Sequence, residues 1–194
     1  MPLILLNKPF AVMSQFSAHP DRQTLADYID IPNVYPAGRL DADSEGLLLL
    51  TDDGKLQHAI AHPRRKMPKT YLAQVEGLAS PEALERLRQP LNLGDFVSQG
   101  SQARLIQEPG WMWPRNPPIR QRQNQPTSWV ALTISEGKNR QVRRMTAAVG
   151  LPTLRLVRIA IGPFSLASHP VMPGEWREVD PQELELELKR EHQG

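Results

Sequence analysis

The chain has no cysteine in its 194 residues. That excludes a disulfide framework, a thiolate metal site and a thiol nucleophile together. Long apolar runs are missing too, and no window approaches the roughly 18 residues a membrane span needs. The apolar stretch at 2–6 is short and closes on Asn7-Lys8-Pro9, which is unlike a secretory signal. Internal repeats, low-complexity tracts and a glycine-rich phosphate loop are also lacking. The expectation is a cytoplasmic protein, with no membrane partner. With 40% hydrophobic residues, 1–194 suffices for one well-packed domain or for two small halves sharing a core.

What is present is charge of uneven distribution. The net charge is only +2, yet the sequence pI is about 9.1. Cations gather in His62-Pro63-Arg64-Arg65-Lys66-Met67-Pro68-Lys69, in Lys138-Asn139-Arg140-Gln141-Val142-Arg143-Arg144, and at Arg115, Arg120 and Arg122. Acids gather near the end, at Glu183, Glu185, Glu187 and Glu191. Such asymmetry fits a face for a polyanion, although charge runs are more often solvated surface.

The pattern of elements is that of an α+β domain. Strands are expected at 3–6, 47–50, 70–75, 128–135, 153–161 and 175–179, and helices at 24–29, 54–61, from Ser80 to 87, at 138–149 and after Asp180-Pro181. Ser80 is the natural N-cap of its helix and Pro81 its first residue. The Leu47 to Leu50 run, bounded by Gly46 and an Asp-Asp-Gly turn, reads as a strand buried on both faces. The arrangement expected is a mixed, largely antiparallel central sheet in two halves flanked by helices. Residues 108–126 lose periodicity, with five prolines among Trp111, Trp113, Arg115, Arg120 and Arg122. A loop of that length is usually functional or disordered. Its aromatics and arginines suit RNA bases and phosphates, while a Trp packing the loop onto the domain is as good a reading.

Three acids stand just ahead of the Leu47 run: Asp41, Asp43 and Glu45. An Asp in such a turn is most often a cap or a surface ion pair. Alternating acids on an extended segment could instead share a face and hold Mg²⁺ for phosphodiester hydrolysis. His58 and His62 have the i, i+4 spacing of two metal ligands, but no third ligand is evident, so no metal site is expected.

The stretch Gly38-Arg39-Leu40-Asp41-Ala42-Asp43-Ser44-Glu45-Gly46-Leu47-Leu48-Leu49-Leu50-Thr51-Asp52-Asp53-Gly54 resembles the signature of the pseudouridine synthases that modify ribosomal RNA, in the branch typified by RsuA. Every fixed position of that signature is filled. Asn7-Lys8-Pro9 is similar to the family's first motif, with Ala11 where Gly is usual. Lys69-Thr70-Tyr71 resembles the second, and the run from Glu136 to Met145, extended by Leu154 to Pro163, resembles the third. The resemblance implies a catalytic domain without an S4-like RNA-binding domain ahead of it, and a catalytic cleft across the sheet. It implies that Asp41 is catalytic, that Tyr71 stacks on an extruded uridine, that Arg143 pairs with Asp41 and that Leu156 lines the uracil pocket. Lys8, Arg39, Arg64, Lys69, Lys138, Arg140 and Arg158 follow as RNA-binding or supporting residues.

Residue by residue, plainer readings stand beside these. Tyr71 could be a half-buried strand tyrosine, Leu156 a core leucine, Arg158 a surface residue, and Arg140, Arg143 and Arg144 a solvated helix face. In the family the aspartate is implicated in breaking the C1′–N1 bond of uridine, after which the uracil turns and rejoins through C5. Attack on C1′, attack on C6 and proton abstraction at C2′ all remain open. None of these routes needs a metal or an organic cofactor. The expected partner is ribosomal RNA, of the large subunit in preference to the small, or a pre-ribosomal particle, engaged by a monomer. A non-catalytic RNA-binding module using the same basic face is the remaining alternative.

Overall fold

A computed structural model describes residues 1–65 and 67–191; Lys66, of the basic segment, lies outside the described residues. In chain order the elements are β1 (Leu3–Lys8), β2 (Tyr35–Pro36), β3 (Glu45–Thr51), α1 (Gly54–Ala61), β4 (Lys69–Glu76), α2 (Pro81–Arg88), β5 (Gln102–Ile106), β6 (Thr127–Ile134), α3 (Gln141–Ala148), β7 (Thr153–Ile161), β8 (Phe164–Ser165), β9 (Trp176–Val179) and α4 (Pro181–Glu191). The fold is α+β, with four helices among the described residues and antiparallel strand pairing in each half. Two compact units divide the chain, Met1–Met67 with Ile159–Gly194, and Pro68–Arg158.

In the first unit β1 pairs antiparallel with β3 from Leu3 opposite Thr51 to Lys8 opposite Gly46, and on its other edge with β9. All six residues of β1 and all seven of β3 are buried. The reason lies in the sequence, since Leu3 to Leu6 and Leu47 to Leu50 offer no polar face to water. Each such side chain withdrawn from water contributes roughly 1.5–3 kcal/mol before entropy is counted. α1 packs on β3 through Leu56 and Ile60, and Asp53 starts it by accepting the Lys55 N–H at 2.8 Å. β1 runs two residues past its expected end and stops only at Pro9, which has no N–H to give. The helix expected at 24–29 is a single 3₁₀ turn, Leu25–Asp27, closed by the Asp27 carboxylate accepting the Thr24 N–H.

In the second unit β6 lies between β4 and β5, antiparallel to both. The Thr70 and Thr133 hydroxyls meet across β4 and β6 at 2.9 Å. Ser80 caps α2 as expected, accepting the Ala83 N–H at 3.1 Å. β5 was absent from the sequence expectations. It is held by α2, with the Arg88 guanidinium donating to Ala103 O and the Ser101 N–H and hydroxyl both donating to Leu87 O. At Gly100, with φ of +89°, an added Cβ would sit 2.4 Å from Arg88 O. Only glycine fits that close passage.

α3 is shorter than the 138–149 expected. Arg140 adopts left-handed dihedrals, φ 53° and ψ 31°, so the helix cannot extend back through it. The Gln141 side chain accepts the Lys138 N–H at 3.2 Å and so replaces the missing turn. Lys138 and Arg140 therefore stand exposed on a loop ahead of the helix.

Candidate active site

In the first unit the chain carries Asp41 into a turn closed by the Ser44 N–H donating to Asp41 O at 3.0 Å. Both flanks of the residue are fastened. On one side Ser14 donates its hydroxyl to Leu40 O at 2.5 Å and accepts the Leu40 N–H at 3.2 Å. On the other, Ala42 O accepts from the Ala11 N–H at 2.7 Å and from the Lys8 ammonium at 3.4 Å. Three residues further on begins β3, buried throughout. Asp41 is thus a half-buried carboxylate whose backbone is tied at both neighbours and anchored in the core. Fixing a reacting group in advance removes part of the entropic barrier of a reaction.

Lys8, expected among the RNA-binding or supporting residues, lies in the interior of the first unit. The side chain is fully buried, and Nζ donates to Pro9 O at 2.8 Å and Val12 O at 2.9 Å as well as to Ala42 O. Ala11, where glycine is usual, has φ of 68°. Its left-handed backbone is what brings its N–H to Ala42, and it explains why glycine suits the position. The face that three alternating acids would share does not form, because Asp41 and Asp43 bracket a turn and Glu45 is buried in β3. Among the described residues no cluster of three or more His, Asp or Glu side chains is set to hold a metal ion.

His58 and His62 do stack, with ring centroids 4.2 Å apart. His62 Nδ1 accepts the Arg64 N–H at 3.2 Å, and desolvation, then His58, Arg64 and Arg65, push its pKa below the usual imidazole value. Arg64 is exposed on the 3₁₀ turn Pro63–Arg65, and Arg39 is exposed just ahead of Leu40. Both positions leave a guanidinium accessible to phosphate.

In the second unit Tyr71 lies on β4 opposite Leu132 and is 9% exposed. Lys69 precedes it by two, so strand alternation puts both on one face of β4. Burial first, and the Arg158 guanidinium second, push the Lys69 ammonium down to about 8. Arg158 is not a surface residue: it is 4% exposed, as Leu156 is 5%. Arg143 is half-buried on α3, with its main-chain carbonyl accepting from the Thr146 hydroxyl. Arg144 is spoken for structurally, donating to Leu93 O and to the Asp95 carboxylate while its guanidinium lies 5.2 Å from the Phe96 ring.

Ser14, whose hydroxyl holds the residue before Asp41, was missed in the sequence. A serine in a loop carries no local signal, and its role follows only from a contact 26 residues away. Arg155 was missed for a similar reason. A charged residue inside the expected strand at 153–161 carries no local mark of what it contacts, yet it is 4% exposed and donates to Trp113 O at 2.8 Å.

The family model for RNA pseudouridylate synthase matches residues 2–148. Ribosomal large subunit pseudouridine synthase E of Xanthomonas campestris pv. campestris is 54% identical over 177 residues, covering 90% of this chain and 94% of that protein. The protein of the same name from Vibrio vulnificus is 51% identical, over 91% of this chain and 74% of its own. Among solved structures, one described as a pseudouridylate synthase superposes with a TM-score of 0.78 at 29% identity, over 96% of this chain and 73% of that one. The fold, the motif that holds Asp41 and the extent of these matches agree: the chain belongs to the RNA pseudouridylate synthase family.

Proposed function

We propose that the protein isomerises a specific uridine of large-subunit ribosomal RNA to pseudouridine, acting as a monomer in the cytoplasm. The observation that carries this reading is the Asp41 turn, a half-buried carboxylate tied at Leu40 and Ala42. The names of the relatives supply the substrate class.

The target base has to leave its stack, at a cost of a few kcal/mol. Tyr71 is the ring against which the extruded uracil is held, and such stacking is worth roughly 1–3 kcal/mol. Asp41 takes part in breaking C1′–N1. The uracil turns, C1′ bonds to C5, the C5 proton leaves and N1 takes up a proton, so atoms and charge balance without a redox partner. Arg143 serves as the cation for the Asp41 carboxylate, since a bidentate guanidinium fixes both its charge and its orientation. Leu156 packs against the uracil. Arg39, Arg64, Lys69, Lys138 and Arg140 contact phosphates, while Lys8 and Arg158 support the site from the interior.

The test of the substrate is direct. Unmodified large- and small-subunit ribosomal RNA transcripts, and immature large-subunit particles, are incubated with the protein, digested to nucleosides and analysed for pseudouridine. One new pseudouridine per large-subunit RNA, free or in particles, with none in the small-subunit RNA, is the expected result. Pseudouridine only in small-subunit RNA would overturn the substrate, and none anywhere would overturn the activity.

A further inference from the structure

The loop between β5 and β6, residues 107–126, contains two tryptophans treated in opposite ways. Trp113 is 8% exposed and Trp111 is 52% exposed, with their ring centroids 6.3 Å apart. Trp113 is the anchor: Arg155 donates to its carbonyl and lays its guanidinium 6.0 Å from its ring. Arg115 fastens the next stretch, donating to the carbonyls of Pro117 at 2.8 Å and of Leu154 and Pro118 at 3.3 Å. The Met112 N–H closes a turn on Pro109 O at 3.0 Å, which sets Trp111 within it. An indole is therefore held out into water by a loop tied down at several points. Water is a poor neighbour for so large an apolar ring.

The surroundings say what would cover it. Residues 107–126 contain three arginines against one acid, Glu108, and six amide side chains, at Gln107, Asn116, Gln121, Gln123, Asn124 and Gln125. Arg120 and Arg122 are exposed, Arg122 lying 3.7 Å from Glu76 with most of its guanidinium in water. A protein partner would be expected to meet a broader apolar core. A loop that carries an exposed ring together with guanidinium groups and amides offers partners for the π-face, phosphates and edges of a nucleotide.

We propose that Trp111 is a stacking platform for an unpaired base of the RNA substrate, with Arg120 and Arg122 taking the phosphates beside it. The proposal rests on the reading of the protein as an RNA-modifying enzyme. It adds a recognition site on the second unit, carried by a loop rather than by the motifs that define the family.

The test uses the full-length protein and [5-³H]uridine-labelled large-subunit ribosomal RNA transcript, with two readouts, RNA affinity and tritium release. Trp111→Ala is expected to raise Kd roughly five- to hundredfold with an unchanged melting temperature. Trp111→Phe keeps a ring and should stay within about threefold of wild type, while losing most of the RNA-dependent quenching of tryptophan fluorescence. Arg120→Gln with Arg122→Gln should reduce the slope of log K against log salt by about one to two. An unchanged Kd for Trp111→Ala, or undiminished quenching in Trp111→Phe, would overturn the proposal even if the wild type releases tritium. Failure of the wild type to release tritium would instead strike the synthase reading, while the affinity and quenching results would still decide whether Trp111 stacks.

Discussion

A lysine ammonium taken out of water must find acceptors, and Lys8 finds three main-chain carbonyls, one of them next to Asp41. Replacing it with methionine strands those carbonyls, so Lys8→Met should cost about 1–3 kcal/mol of stability. It should also slow turnover while leaving the salt dependence of RNA binding unchanged, because the lost cation never faced a phosphate. A reduced salt slope would show that Lys8 contacts RNA after all. Lys69 is a different case, held near Arg158 with its pKa lowered to about 8. Its charge is lost as pH rises through that value, so RNA affinity should weaken above pH 8 in the wild type and not in Lys69→Arg, whose guanidinium stays charged. Stability moves the opposite way. The unfolded chain keeps this proton up to about 10.4, so between about 8 and 10.4 it binds more protons than the folded one, and folding becomes more favourable with rising pH in that window. Thermal melts of wild type and Lys69→Arg across that range check the sign. Ala11 supplies a third test at this scale, since its φ of 68° costs about 1–2 kcal/mol in an L-residue, partly returned by its stiffer unfolded chain. Ala11→Gly should be neutral to about 1 kcal/mol stabilising, and Ala11→Val clearly destabilising, in chemical denaturation.

At the scale of elements the same physics explains which parts of the fold were legible. β3 reads from sequence because four consecutive leucines between turn signals have only a buried strand to occupy. Leu48→Ala should therefore cost about 2–5 kcal/mol, and denaturant melts will show it. α2 reads because Ser80 and Pro81 mark its start. β5 does not read, since only Ala103 of its five residues is buried and Gln102, Arg104 and Leu105 are exposed. Its existence depends on β6 alongside and on the clasp from α2. The start of α3 was misread because a run of helix-compatible residues gives no warning that Arg140 turns left-handed. The stretch 108–126 was legible as a loop, but the division of labour between its two tryptophans was not. Only the contact of Arg155 with Trp113 decides which ring is the anchor.

For the molecule as a whole, a net charge of +2 understates its capacity for RNA, because the cations Arg39, Arg64, Arg120, Arg122, Lys138 and Arg140 are exposed to solvent. Binding should weaken steeply with salt, each phosphate neutralised adding about 0.7 to 0.9 to the slope. Much of the candidate site was legible because its motifs are local: Asp41, Tyr71 and Arg143 each sit in a recognisable run. What was not legible is how Asp41 is held, since Ser14, Lys8 and Ala11 reach it from distant points in the chain. The central claim is that this one carboxylate carries the chemistry. Single-turnover tritium release from [5-³H]uridine-labelled large-subunit ribosomal RNA, free and in immature particles, tests it for wild type and Asp41→Asn in buffer containing EDTA. Release by the wild type, undiminished by the chelator and lost at least a thousandfold (about 4 kcal/mol) in Asp41→Asn, is the predicted result. Equal release by both proteins would contradict the role of Asp41, and release by neither on either substrate would contradict the enzyme.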